Sequence, residues 1–274
     1  MTFALSKSVA VITGAASGIG AALARSLAAK SCHLALVDRN AAGLEKSAAS
    51  ARELGVTVSE HVLDLTDAAA IVELPERVLA QHGRVNLLIN NAGVSLAGSF
   101  AQTDLADFEW LMDINFWGVV RMTHAFLPAL QRAPAAQIVN ICSIFSIVAP
   151  DGQAAYAASK FAVRGFSEAL RQEFRKSSIG VTMVHPAGVR TAIATSARQP
   201  KDVSEVDLAR WRDRTTKVLT IEPDTAAGVI VAGIERRKPR ILIGSEARLA
   251  SLMQRLFPVD NWTMIRRGAR LMGR

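Results

Sequence analysis

Val9-Ala10-Val11-Ile12-Thr13-Gly14-Ala15-Ala16-Ser17-Gly18-Ile19-Gly20 is the stretch whose reading decides the fold. Val9–Thr13 is a short apolar run closed by a glycine, and Ile19–Lys30 after it is alanine-rich and helical in character. The three glycines are spaced G-x-x-x-G-x-G, which lets the backbone turn sharply and approach an anion that a Cβ would exclude. The helix that follows aims free N–H groups and a positive dipole end at that anion. Gly14, Ser17, Gly18, Ile19 and Gly20 are therefore candidate contacts to the pyrophosphate of a dinucleotide. Glycines in such a turn also permit plain tight packing; the placement between strand and helix is what favours the ligand.

The same alternation continues outward. Further strands are expected at Leu34–Val37, Val56–Val62, Asn86–Ile89, Gln137–Ile141, Val181–Val184 and Arg240–Ile243. Helices are expected at Ala41–Leu54, Asp67–His82, Ala154–Lys176 and Thr225–Arg236, with one long helical stretch over Asp104–Leu130. Continuous apolar strands, each followed by a helix, imply a doubly wound α/β fold: a mostly parallel seven-stranded sheet with helices on both faces. Ligands in such a fold sit at the carboxyl ends of the strands. With 274 residues, no internal repeat and no linker, one domain over 1–246 is expected, followed by a basic amphipathic extension over 247–274.

Asp38 ends the second strand, 18 residues beyond Gly20. A carboxylate there can accept hydrogen bonds from both adenosine ribose hydroxyls and repels a 2′-phosphate, which favours NAD over NADP. Arg39 pulls the other way, because a guanidinium can grip that phosphate. Asp64 and Leu65 follow the third strand and would sit near the adenine; Asp64 also fits a helix cap or turn. After the fourth strand, Asn91-Ala92-Gly93 again combines a polar residue with a small step that admits a ligand close to the backbone.

Tyr156 and Lys160 stand at i and i+4, on one face of a helix. A phenol, with pKa near ~10, is a poor base at neutral pH, and a neighbouring cation favours its phenolate. The pair is common by chance and also fits surface packing. Ser143, at the end of the fifth strand, could polarise a carbonyl or cap a turn. Asn115 is polar inside an apolar helical stretch, so it must find partners or mark a kink.

Together TGAASGIG, NNAG, the Asn115 region, Ser143, YAASK and Pro186–Thr191 resemble the short-chain dehydrogenase/reductase family, in family order from Lys7 to Gly244. The resemblance implies an NAD(P)-dependent oxidoreductase that interconverts a secondary alcohol and a ketone. Its implied tetrad is Asn115, Ser143, Tyr156 and Lys160. Tyr156 exchanges the proton, Lys160 binds the nicotinamide ribose and lowers the tyrosine pKa, Ser143 orients substrate, and Asn115 holds a water. Val189 and Thr191 look like contacts to the nicotinamide carboxamide, and Asn91 like a further cofactor contact. Two departures occur: Ala187 where the family usually has glycine, with Gly188 next to take a demanding backbone angle, and Cys142 where a serine commonly precedes Ser143.

Cys32 and Cys142 read as reduced buried thiols, and the opening segment as a buried strand rather than a signal peptide, giving a cytoplasmic expectation. The five histidines show no metal-like clustering, so no metal is expected. Net charge is +8, and Glu235–Arg274 carries ten Lys/Arg against three Asp/Glu. That tail could be a solvated surface, pack on a neighbouring subunit of a homodimer or homotetramer, or touch an anionic membrane peripherally. Nucleic acid is not expected, because charge alone would support it. Leu96–Phe100, Ile144–Asp151 and a mobile lid over Ala192–Leu219 should choose the substrate, expected to be an uncharged, moderately hydrophobic secondary alcohol or ketone. The reading from another class is a catalytically inactive nucleotide-sensing or scaffold protein on the same fold.

Overall fold

The computed structural model describes residues 2–271, with side-chain surroundings as far as Arg266. Seven strands form one sheet: β1 Val9–Thr13, β2 His33–Asp38, β3 Val58–Val62, β4 Leu87–Asn90, β5 Ala136–Ile141, β6 Ile179–Pro186 and β7 Arg240–Ile243. Their order is β3-β2-β1-β4-β5-β6-β7, and every pairing is parallel. Strand periodicity splits the core into two layers. Ala10 and Ile12 of β1 join Leu34, Leu36, Leu23, Leu27 and Ile230 on one face. Val11 joins Val37, Leu88, Ile71, Leu74 and Phe126 on the other. The central strands β1, β4 and β5 are thus covered on both sides, as a parallel sheet between two helical layers requires.

Among the described residues, ten α-helices accompany the sheet: α1 Gly18–Ala28, α2 Ala41–Arg52, α3 Ala68–His82, α4 Leu105–Met112, α5 Gly118–Arg132, α6 Ala154–Glu173, α7 Glu205–Val218, α8 Pro223–Glu235, α9 Ser245–Leu256 and α10 Asn261–Leu271. Asn40 and Asp67 cap α2 and α3, accepting from the backbone N–H of Gly43 and Ala70.

The stretch Asp104–Leu130 is helical as expected, with one refinement: a π turn over Asp113–Trp117 divides it into α4 and α5 and sets Asn115 at its centre, fully buried. The segment expected as a lid contains α7. Near its start Arg198 bridges to Leu96, and its guanidinium stacks over Trp110 and pairs with Asp107 at 2.9 Å. Two strand bounds need correction: β3 starts at Val58, and β6 runs longer than expected, from Ile179 to Pro186.

The tail forms α9 and α10 on either side of Phe257–Asp260, and residues 272–274 of the expected extension lie outside the described residues. Trp262 and Ile265 pack on Ile147 and Val148, and Arg266 Nη1 stands 2.9 Å from Asp151 Oδ2. This side of the tail is covered by the chain's own Ile144–Asp151 loop and needs no neighbouring subunit to cover it. Among the described residues, no helix is long and apolar enough to cross a membrane.

Candidate active site

The glycine turn lies at the carboxyl end of β1, between β2 and β4, where the chain changes direction across the sheet. Gly14 and Gly18 have φ of +67° and +54°, which side chains rarely tolerate. A Cβ on Gly14 would stand 2.8 Å from Ala92 Cα. The side chain of Asn91 donates to the carbonyls of Thr13 (2.9 Å) and Gly14 (3.1 Å), and the backbone N–H groups of Asn91 and Ala92 donate to Thr13 Oγ1. The β1 and β4 turns are thereby stitched into one cradle. Ser17 begins α1 with an exposed side chain that makes no capping hydrogen bond, and no acidic residue occupies the first turn. An anion fits there, since the dipole is uncompensated and a Cβ would close the cradle.

Asp38 closes the adjacent side. Its carboxylate accepts from the N–H of Ala16 at 3.0 Å and of Asn40 at 2.9 Å, leaving lone pairs toward solvent. Asp64 forms a local turn with Thr66 and lies 3.9 Å from Arg39, while Leu65 is buried next to Gly118. Arg39 therefore already has a carboxylate neighbour. Thr191 borders the glycine turn, where a Cβ on Gly18 would meet its Cγ2 at 2.9 Å. Val189 is buried beside it. Gly188 does not adopt the left-handed angle expected of it; glycine is needed because a Cβ would fall 1.9 Å from the Val218 carbonyl oxygen.

The proposed tetrad comes together. Lys160 is buried on α6 and donates to the Ile141 carbonyl at 3.0 Å, with its Nζ 5.8 Å from the Tyr156 ring centre. Asn115 accepts from Val94 N–H at 2.8 Å and donates to the Val94 carbonyl and Ser159 Oγ. Gly93 lets Lys160 and Asn115 approach: a methyl there would stand 3.3 Å from Nζ and 3.4 Å from Asn115 Oδ1. Ser143 Oγ accepts from Phe145 N–H at 3.1 Å, and the Phe145 ring meets Tyr156 edge-on at 6.2 Å. Leu96 and Val94 flank the phenol. All three segments expected to contact substrate border this cleft or one another.

Burial sets the electrostatics. It pushes the Tyr156 phenol up to about 12, against a smaller lowering by the Ser143 hydroxyl. It pulls Lys160 down to about 8. In the protein alone burial, not Lys160, sets the phenol, so the expected lowering of the tyrosine by lysine is not seen there. Lysine burial also costs stability. Because the folded value lies below the unfolded one, that cost is full below about pH 8 and fades as pH climbs toward the ordinary lysine range. Lys160→Met is expected to raise stability at pH 7 by about 1–3 kcal/mol despite stranding the Ile141 carbonyl. Urea unfolding at pH 7 and 10 checks this, with the gain shrinking at the higher pH; a loss at pH 7 would refute it.

A layer beneath Ser143 escaped sequence reasoning. Ser146 Oγ donates to the Ser143 carbonyl and contacts His185 Nδ1 at 2.8 Å, while His185 Nδ1 also lies 3.3 Å from that carbonyl. Burial, chiefly, drops His185 to about 4, so it is neutral at pH 7. With the Ser146 proton committed, His185 donates from Nδ1, and its Nε2 keeps a lone pair without a partner. No spacing linked residues so distant in sequence. Cys32 and Cys142 are buried free thiols, each pushed up to about 12 mainly by burial. Neither is a nucleophile at neutral pH.

The family model for short chain dehydrogenases matches residues 8–202. SadH, a protein of Mycobacterium tuberculosis named an oxidoreductase, is 40% identical over 250 residues, covering 90% of each chain. A fatty acyl-CoA reductase of Acinetobacter baylyi is 34% identical over 255 residues, covering 92% of this chain and 81% of that one. A short-chain dehydrogenase/reductase of Burkholderia phymatum, solved in complex with NAD, superposes with a TM-score of 0.83 at 29% identity, covering 90% of this chain and 94% of that one. Fold and sequence lead to one conclusion: the chain belongs to the short-chain dehydrogenase/reductase family of oxidoreductases.

Proposed function

We propose that the protein interconverts a secondary alcohol and a ketone by hydride transfer with NAD, using Tyr156 as acid/base. Half-buried Tyr156 next to buried Lys160 and Ser143, at the rim of the glycine cradle, carries this reading. In oxidation the alcohol proton passes to the phenolate oxygen of Tyr156 as the hydride leaves carbon; in reduction the phenol returns it. A bound nicotinamide supplies the hydride acceptor or donor and, when oxidised, a positive charge beside the phenol. Ser143 accepts from Phe145 N–H and keeps its own proton for the substrate oxygen. Lys160 spends one N–H on Ile141 and has two left for ribose hydroxyls. The side chain of Asn115 ties the β4 turn to α6 through Val94 and Ser159, and its Oδ1 keeps a second lone pair for a relay water. Val189 and Thr191 would meet the nicotinamide amide, and Gly14, Ser17, Gly18, Ile19, Asn91, Ala92 and Gly93 the rest of the cofactor. The inactive scaffold reading is disfavoured because a scaffold gains nothing from burying a destabilising lysine.

Asp38 supports NAD over NADP, since its carboxylate faces any 2′-phosphate and Arg39 is drawn toward Asp64. Asp38→Ala is expected to lower the ratio of kcat/KM for NAD over NADP by about 10–100-fold, the worth of a charged hydrogen bond. An unchanged ratio would remove Asp38 from the selection. The apolar walls formed by Leu96 and Phe145 beside Tyr156 favour an uncharged, moderately hydrophobic substrate. Half-exposed Trp117 and Phe161 offer surface for a homodimer or homotetramer. A screen of alcohols and ketones with NAD(H) and NADP(H) tests the reading; turnover confined to charged sugars or acyl thioesters would sink it.

A further inference from the structure

Helix α9 has two apolar faces, and the described residues cover only one. Ala247 and Ala250 face inward and are buried. On the opposite side, at spacings of three and four, Leu249, Leu252 and Leu256 are 44%, 50% and 59% exposed. The stripe continues through Phe257, 38% exposed, and Val259, 89% exposed. Arg248 and Arg255 flank the leucines on the same helix and are exposed. Leaving three leucines in water on a helix that only two alanines anchor is unfavourable for an isolated protein.

We propose that the outer face of α9, with Phe257 and Val259, docks on an anionic lipid surface. Three features select this occupant. Arg248 and Arg255 border the leucines on α9, against one acidic residue on that helix, Glu246, and give this face the charge that attraction to acidic headgroups requires. A second copy docked by the same patch would bring its arginines against these, which repel. A nucleic acid would satisfy the arginines and leave the leucines wet. At 12 residues α9 is far too short to span a bilayer, so it lies in the interface with leucines down and arginines at headgroup level. The rest of the tail braces it, because α10 packs on the Ile144–Asp151 loop through Trp262 and Ile265.

The test is flotation of the full-length protein with vesicles of phosphatidylcholine alone and of phosphatidylcholine with phosphatidylglycerol. Binding is expected to the second kind only and to weaken with added salt. Arg248→Ala and Arg255→Ala should each weaken it about fivefold. Leu252→Asp with Leu256→Asp should abolish it while leaving turnover of a water-soluble substrate and oligomer size unchanged; both side chains are exposed, so folding is not at stake. Equal binding to both vesicle types, no binding to either, or a double variant that changes oligomer size instead of vesicle binding would each overturn the proposal.

Discussion

Tyr156→Phe is expected to lower kcat by about 10²–10⁴-fold, the usual worth of positioned acid–base catalysis, with NAD affinity nearly unchanged. The substitution is clean. Phenylalanine keeps the ring that packs on Leu96 and Ala155 and meets Phe145 edge-on. Only the oxygen that carries the proton is lost. Single-turnover measurement of hydride transfer checks it, and activity that survives would remove Tyr156 from the chemistry. Tyr156 is also the only tyrosine in the chain, so the ultraviolet band of phenolate reports on this residue alone. In the protein by itself burial should hold that titration up near about 12. Saturating oxidised NAD should shift it downward, because a nearby positive charge favours the phenolate. An unmoved titration would mean that the cofactor charge does not reach the phenol.

Gly20→Ala should be nearly as damaging, by a different route. Alanine is the better helix former by about 1 kcal/mol, and Gly20 sits inside α1 with an ordinary helical φ, so propensity alone predicts stabilisation. Packing decides otherwise. The new Cβ would fall 2.0 Å from the Gly14 carbonyl oxygen and 2.7 Å from Asn91 Nδ2, the pair whose hydrogen bond joins the two turns of the cradle. Neither partner is a loose side-chain end. A stability loss of about 3 kcal/mol or more is expected, together with at least about a hundredfold loss of NAD affinity from a cradle that no longer closes. Calorimetric titration and urea unfolding read the two effects. Gly228→Ala, in α8, is the control: open space surrounds its Cβ, so a gain of about 0.4–1 kcal/mol is expected. If both variants gain stability, steric exclusion is not why residue 20 is glycine.

What could be read in the sequence follows where burial is symmetric. Val9–Thr13 and Leu87–Asn90 are buried at every position, and their unbroken apolar runs announce it. The edge strand β3 alternates, buried at Ser59 and His61 and open at Val62, which blurred its start. Periodicity ran straight through Asp113–Trp117 because a π turn adds one residue without breaking the apolar pattern. Helix α7 was hidden by its polarity, with Leu208 its only buried residue. A signal was nonetheless present: Ser204 caps it by accepting from Asp207 N–H, and an acidic residue three places after a serine is a helix-start pattern. Tyr156 and Lys160 were visible by spacing. The clamp on Ser143 by Ser146 and His185 was not, since it depends on β6 lying beside β5.

The strand order carries a consequence for how the chain acquires its structure. Strand β1 pairs with β4, placing Val11 beside Leu88 only after two other strands and three helices have been laid down between them. Closing so large a loop is entropically costly, and the joint should be among the late events of folding. Asn91 and Ala92 reach back to Thr13 and Gly14 across that joint. A dinucleotide seated there would bind only chains that have finished it. By mass action, cofactor in the cell would then draw nearly folded molecules to completion, and its supply would help set how much of the protein survives proteolysis.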